Sequence, residues 1–136
     1  MADYRTLKAK SEDGRYADVS LWTHLRDVAA TARHIASYVG LDADLAFVGG
    51  LLHDIGKAHP TFQQRLNGKG GLHLGDRVFR HELASLGFLP LFPKVHWPML
   101  TEMVVAHHKR VRGDIGGKGL LDLDNRSRTY TTDHLD

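Results

Sequence analysis

The sequence predicts an all-α domain, and three observations carry that prediction. Apolar residues recur at helical spacing in separate stretches, most regularly at Leu21, Leu25, Val28, Ala32, Ile35 and Val39. No stretch alternates apolar and polar residues in the way of a half-buried strand. Strong breakers such as Gly40, the glycine-rich run 67–71, Pro90 and Pro93 fall between the periodic stretches.

Residues 1–19 form a polar, irregular N-terminal segment with a turn signal at Gly14. The first helix is expected from about Ser20 to Tyr38. Asp18 or Ser20 can accept a hydrogen bond from an otherwise unpaired backbone N–H at its start. His24 sits at the inward edge of its apolar stripe, and Gly40 is placed to end the helix. Asp42 and Asp44 then open a second helix, where negative charge suits the positive end of the backbone dipole. From Leu45 to Leu52 this helix carries no charged or hydrogen-bonding side chain. Leu41, Leu45, Val48, Leu52 and Ile55 keep helical spacing, while Phe47 and Leu51 cover the other side. Gly49 and Gly50 leave room for a close neighbour. A helix apolar all round is a central one.

Pro60 begins a short amphipathic piece through Leu66, and 67–71 is a loop. A third helix is expected from about Asp76 to Leu86, carrying His81 with Ser85 one turn further on. Pro90, Pro93 and Pro98 punctuate the next connection. The fourth substantial helix spans about Trp97 to Lys109, with Leu100, Met103 and Val104 inward, followed by His107 and His108. Residues 110–136 are rich in Gly, Asp, Arg and Thr and read as a loosely ordered tail.

The bulk properties narrow the possibilities. At 136 residues the chain is expected to form a single domain, 1–136, large enough for a real core. No apolar run approaches the length of a membrane span, and the N-terminus has no apolar signal region. The absence of cysteine excludes disulfides and thiolate ligands, so any metal must use His and Asp or Glu. That fits a cytoplasmic protein. A net charge of +2 is too small to argue for nucleic acid unaided.

Function is concentrated in the histidines. His53 and Asp54 lie together near the end of the apolar helix, where an ionised carboxylate costs several kcal/mol unless it is compensated. A divalent cation compensates economically, because it accepts both imidazole nitrogen and carboxylate oxygen. His24, His81, His107 and His108 arrive on inward faces of the other helices. Adjacent helical residues diverge by roughly 100°, but His107 and His108 straddle the centre of their stripe and both lean inward. One inward histidine is usually a hydrogen-bonded core residue. Six potential ligands from four apolar helices instead resemble the way bundle cores hold dinuclear metal centres. His34, His59, His73, His96 and His134 lie off the stripes, in loops or in the tail, and read as surface residues.

Lys57 has two readings that stay open: a lysine favouring the helix dipole, or one close enough to Asp54 to touch a metal-bound phosphate. Gly50 to Lys57 is not a P-loop, because the glycine spacing is wrong and Ala58 stands where Ser or Thr is required. Lys109, Arg110 and Arg112 follow the histidine doublet, either as a solvated charged end or as a surface contacting a phosphate backbone.

The ordered set of His, His-Asp, His and His-His on helices resembles the HD superfamily of metal-dependent phosphohydrolases. The local wording Ser20-Leu21-Trp22-Thr23-His24-Leu25-Arg26-Asp27-Val28 and Leu52-His53-Asp54-Ile55-Gly56-Lys57 is similar to one branch, the HD nuclease domain of type I CRISPR interference. Phe62-Gln63, Arg80-His81-Glu82-Leu83-Ala84-Ser85 and Ala106-His107-His108 extend the likeness over about Ser20 to Lys109. The resemblance implies an HD helical bundle with a metal site in its core and endonuclease cleavage of single-stranded DNA in antiviral defence. Its implied partners are a helicase domain or subunit and the CRISPR surveillance complex.

The resemblance also implies two divalent metals bridged by Asp54. One would be held by His24, His53 and Asp54, the other by Asp54, His81, His107 and His108. The family completes the first site with a further downstream aspartate, for which Asp122, Asp124 and Asp133 are available. None of them has an apolar helical context, so the chain is expected to be a fragment or to leave that site incomplete. Imidazole-rich ligation suits Mn, Fe, Co or Ni better than Mg. With Asp54 and Lys57 as the catalytic pair and no side-chain base in view, metal-activated water is the expected nucleophile. Two rivals make different predictions: a nucleotide phosphohydrolase would turn over free nucleotides, and a metal-stabilised docking domain would hydrolyse nothing.

Overall fold

A computed structural model of the chain describes residues 4–10, 19–69, 73–74 and 77–107. Its first helix, α1, spans Leu21–Val39. Ser20 caps it, with Oγ accepting from Thr23 N at 3.1 Å, and Gly40 ends it at φ 76° with its N–H on the Ala36 carbonyl. Helix α2 spans Ala43–Leu52, with the Asp42 carboxylate accepting from Leu45 N at 2.9 Å. A short 3-10 turn, Ile55–Ala58, follows. Helix α3 covers Pro60–Leu66, where Pro60 fills a first-turn position that needs no N–H donor. The imidazole of His59 accepts from Thr61 N at 3.2 Å, so this exposed histidine is a helix cap.

Helix α4 covers His81–Leu86 and α5 covers Trp97–Ala106, with 3-10 turns Leu89–Leu91 and Lys94–His96 between them. The fold is therefore mostly helical, as the periodicity implies. One exception stands before α4: β1, His73–Leu74, pairs antiparallel with β2, Arg77–Val78. Two residues per strand are too few to leave an alternation in the sequence. The ladder also explains why α4 begins at His81 and not near Asp76, since Arg80 is still extended.

Packing corrects the face assigned to α1. Leu21, Leu25, Ala29 and Ala36 are buried, whereas Ile35 and Val39 are more than half exposed. The cause lies at the crossing of α1 and α2. A Cβ placed on Gly50 would lie 2.6 Å from the Cα of Ala29, so the backbones approach where both residues are small. Small residues therefore define the contact, and the larger Ile35 and Val39 are turned outward. Leu41, 70% exposed, precedes α2 instead of belonging to its apolar face.

The core has two clusters joined by Ile55. Leu52, Leu89, Leu100 and Val104 form one, and Ala9, Leu21 and Leu25 form the other. Each leucine fully withdrawn from water contributes roughly 2 kcal/mol. This framework holds the end of α2, the start of α4 and the end of α5 against one another. The functional side chains lie there.

Candidate metal centre

The site is built where α2 stops being a helix. His53 still has helical dihedrals, but Asp54 breaks them at φ −122° and ψ 7°. This turns its carboxylate into the interior, where the residue is only 4% exposed. The Ile55–Ala58 turn then runs tight against α4. A Cβ on Gly56 would sit 2.0 Å from the His81 carbonyl oxygen. Only glycine permits that approach. Ser85 secures the contact, accepting from Gly56 N at 2.9 Å and donating to the His81 carbonyl at 3.0 Å. Glycine at 56 thus brings His81 within reach of Asp54.

Four imidazoles converge on the carboxylate, two on each oxygen. His24 Nε2 and His53 Nε2 lie 2.9 and 3.2 Å from Oδ2. His81 Nε2 and His107 Nε2 lie 2.9 and 3.3 Å from Oδ1. They come from α1, the end of α2, the start of α4 and the end of α5. Two overlapping groups, His24-His53-Asp54 and Asp54-His81-His107, each keep their ligand atoms within 4.8 Å of one another and could hold a metal ion. Lys57 Nζ, one turn from Asp54, also donates to Oδ2 at 2.7 Å.

The donor set fits a cation. His53 Nδ1 lies 2.7 Å from the Gly50 carbonyl, an acceptor only, so in a neutral ring the proton is on Nδ1 and the Nε2 lone pair faces Asp54. His107 is fixed the same way by the Val104 carbonyl. Lone pairs facing a carboxylate at these distances repel unless a proton or a metal stands between them. Asp54 Oδ1 is buried and accepts no hydrogen bond, although two imidazole nitrogens are near it. A buried acceptor left unpaired costs about 1–3 kcal/mol. A divalent ion satisfies both the orphan oxygen and the lone pairs.

Electrostatics point the same way. Burial favours the neutral Asp54 carboxyl, but close contacts from His107, His53, His81 and Lys57 outweigh it and hold the group far below the ordinary carboxylate range. Burial disfavours the charged form of His107, yet Asp54, the Val104 carbonyl and the charge of Glu82 raise its pKa above the ordinary histidine value.

Three buried supporting residues were not singled out by periodicity. Gln63 on α3 donates to the carbonyls of Lys57 and Lys8 at 2.8 and 2.9 Å and accepts from Lys8 N, tying the Lys57 turn to the N-terminal segment. Glu82 accepts from Arg80 Nε at 2.6 Å, and its other oxygen is 3.7 Å from His81 Nδ1. Burial opposes its ionisation, but Arg80 prevails and keeps its pKa low. Ser85 is the third. Their only trace in the sequence is their place in the motif segments around Phe62 and Arg80.

Of the predicted site residues, His24, His53, Asp54, Lys57, His81 and His107 are brought together. His34 is exposed on α1, away from the cluster. His108, Lys109, Arg110, Arg112, Asp122, Asp124 and Asp133 lie outside the described residues.

The profile of the HD domain family matches residues 21–133, most of the chain. The chain belongs to the HD domain family. HD domains are typically metal-dependent phosphohydrolases that bind divalent ions, and the His/Asp cluster of this chain could hold such an ion. The chain is also similar to Ribonuclease Y of Opitutus terrae, 32% identical over 100 residues. That stretch covers 74% of this chain but only 16% of the relative's length, so the match concerns one part of a much longer protein. No solved structure matches. Among the described residues of this HD domain, no helix is long and apolar enough to cross a membrane.

Proposed function

We propose that this HD domain is a metal-dependent phosphodiesterase that cleaves single-stranded nucleic acid, with DNA in CRISPR interference as the specific reading. The observation that carries the chemistry is Asp54, a buried carboxylate with two imidazole nitrogens on each oxygen. His24, His53 and Asp54 would hold one divalent ion, and Asp54, His81 and His107 would hold another. His108 is proposed to join the second group. Divalent ions in such a pair acidify water and neutralise charge on a phosphate.

The chain's own residues supply the rest. Lys57, now on Oδ2 of Asp54, is a cation with 15% side-chain exposure, close enough to turn toward a phosphate oxygen. Lys109, Arg110 and Arg112 are proposed to follow the strand's backbone. The DNA assignment and the helicase and surveillance-complex partners rest on the motif wording from Ser20 to Lys109. A second reading, RNA as substrate, is favoured by the name of the Opitutus terrae relative.

Elemental analysis of metal content, followed by incubation with single-stranded DNA and RNA of one sequence in Mn or Ni, tests this. The expected result is cleavage of DNA that depends on metal and disappears in His53→Ala and Asp54→Ala. Cleavage undiminished in those variants would refute the site. RNA cut in preference to DNA would move the chain to the second reading, and turnover of free nucleotides alone would make it a nucleotide phosphohydrolase.

A further inference from the structure

A groove of about 450 Å³ is lined by one face of α1 from His24 to Ile35 together with Val19, and His24 links it to the candidate centre. His24 is therefore shared: its Nε2 faces Asp54, and its side chain, 31% exposed, forms the near end of the groove. The volume falls within the range of small-molecule sites. Val28, Ala32 and Ile35 give the groove an apolar wall, and Asp27 and Thr31 are polar groups on the same helix.

Those polar groups have a definite chemistry. Asp27 presents a carboxylate, which accepts hydrogen bonds and repels anions. Thr31 Oγ1 donates its proton to the Asp27 carbonyl at 2.8 Å, so toward a ligand it too presents an acceptor. Among the described residues, no lysine or arginine lines the groove. Arg26 pairs with Asp27 at 3.6 Å with both side chains more than half exposed, an arrangement that contributes little. Arg33 is engaged by Asp44 of α2. On the described lining a second phosphate would meet the Asp27 carboxylate and no compensating cation. An uncharged ring bearing N–H or O–H donors would bury its faces on Val28, Ala32 and Ile35 and direct its donors to Asp27 and Thr31.

We infer that the α1 groove binds the nucleoside attached to the phosphate seated at Asp54, with its hydroxyl or amino donors on Asp27 and Thr31. This rests on the phosphodiesterase reading and adds a direction to it. The cationic Lys57 is on the phosphate side, and the α1 side takes the neutral part of the substrate. A strand occupying the site would then place one nucleoside, and no further phosphate, along α1.

The test reads binding without turnover. Adenosine is titrated into chelator-treated protein and backbone amide shifts are followed by NMR. Saturable shifts confined to the segment from His24 to Ile35, with a dissociation constant on the order of millimolar, are expected. Asp27→Ala should weaken binding about tenfold through loss of a charged acceptor, and Ala32→Trp should abolish it by filling the groove. Because Ala32→Trp could disturb α1, the exposed Asp27→Ala carries the decision. Binding equally tight in Asp27→Ala, no saturation in the wild type, or inorganic phosphate saturating the same amides would overturn the assignment. Hydrolysis of bis(4-nitrophenyl) phosphate by the Mn-loaded wild type is measured in parallel. Hydrolysis without adenosine binding refutes the groove alone. Adenosine binding with no hydrolysis of any phosphodiester refutes the phosphodiesterase reading and, with it, the groove's role in positioning a substrate.

Discussion

Asp54 and His107 pull the stability of the metal-free protein in opposite directions. The folded state holds the Asp54 carboxyl below its unfolded value of about 3.9, so its contribution is complete above that pH and is lost as pH falls. His107 is raised in the folded state, so its contribution is complete below about 6.5 and is lost as pH rises through the folded value. The two limbs leave a window. Chelated protein should show its highest urea midpoint between about pH 4 and 6.5, and His107→Gln should flatten the alkaline limb. A midpoint indifferent to pH up to 8 would show that Asp54 and His107 do not interact as described. Metal competes with the same proton on His107, so metal affinity should rise as pH climbs through that limb.

Elements were legible in the sequence where local chemistry decides them. Ser20, Gly40 and Asp42 act as caps where their residue types imply, because a cap is a contact within a few residues. The buried face of α1 was less legible. A count of large apolar side chains favours Ile35 and Val39, but the close crossing at Ala29 and Gly50 selects small ones. The short β1–β2 ladder and the late start of α4 left no periodic signal at all. The glycines of α2 turn this into a comparison. At Gly50 a Cβ would strike the backbone of Ala29, which cannot yield, so Gly50→Ala should cost about 2–3 kcal/mol. At Gly49 a Cβ would meet Met103 Cε and Sδ, the far end of a flexible chain. Met103 can swing aside, and alanine is the better helix former, so Gly49→Ala should fall within about 1 kcal/mol of wild type. Denaturant midpoints of the two variants decide it, and equal losses would mean that the α1–α2 approach is not limited by backbone.

For the whole molecule, the histidine cluster ties together parts of the chain that are distant in sequence. His24, His53, His81 and His107 were legible because each lies beside an apolar stripe. The roles of Glu82, Gln63 and Ser85 were not, because they exist only once α3, α4 and the Ile55–Ala58 turn have met. Only the native fold brings these imidazoles and the carboxylate together, so a cation that they hold binds the native state alone. Anything binding the native state selectively stabilises it, by about 2.7 kcal/mol at a hundred times its dissociation constant. For a chain of this size that is a rise of several degrees in Tm. Wild-type protein should thus melt higher with Mn or Ni than with chelator. Asp54→Asn keeps the side chain's shape but removes its charge, and should lose that increment while still melting cooperatively. If calorimetry gives one Tm for the wild type with metal and with chelator, the buried carboxylate is not serving as a metal ligand.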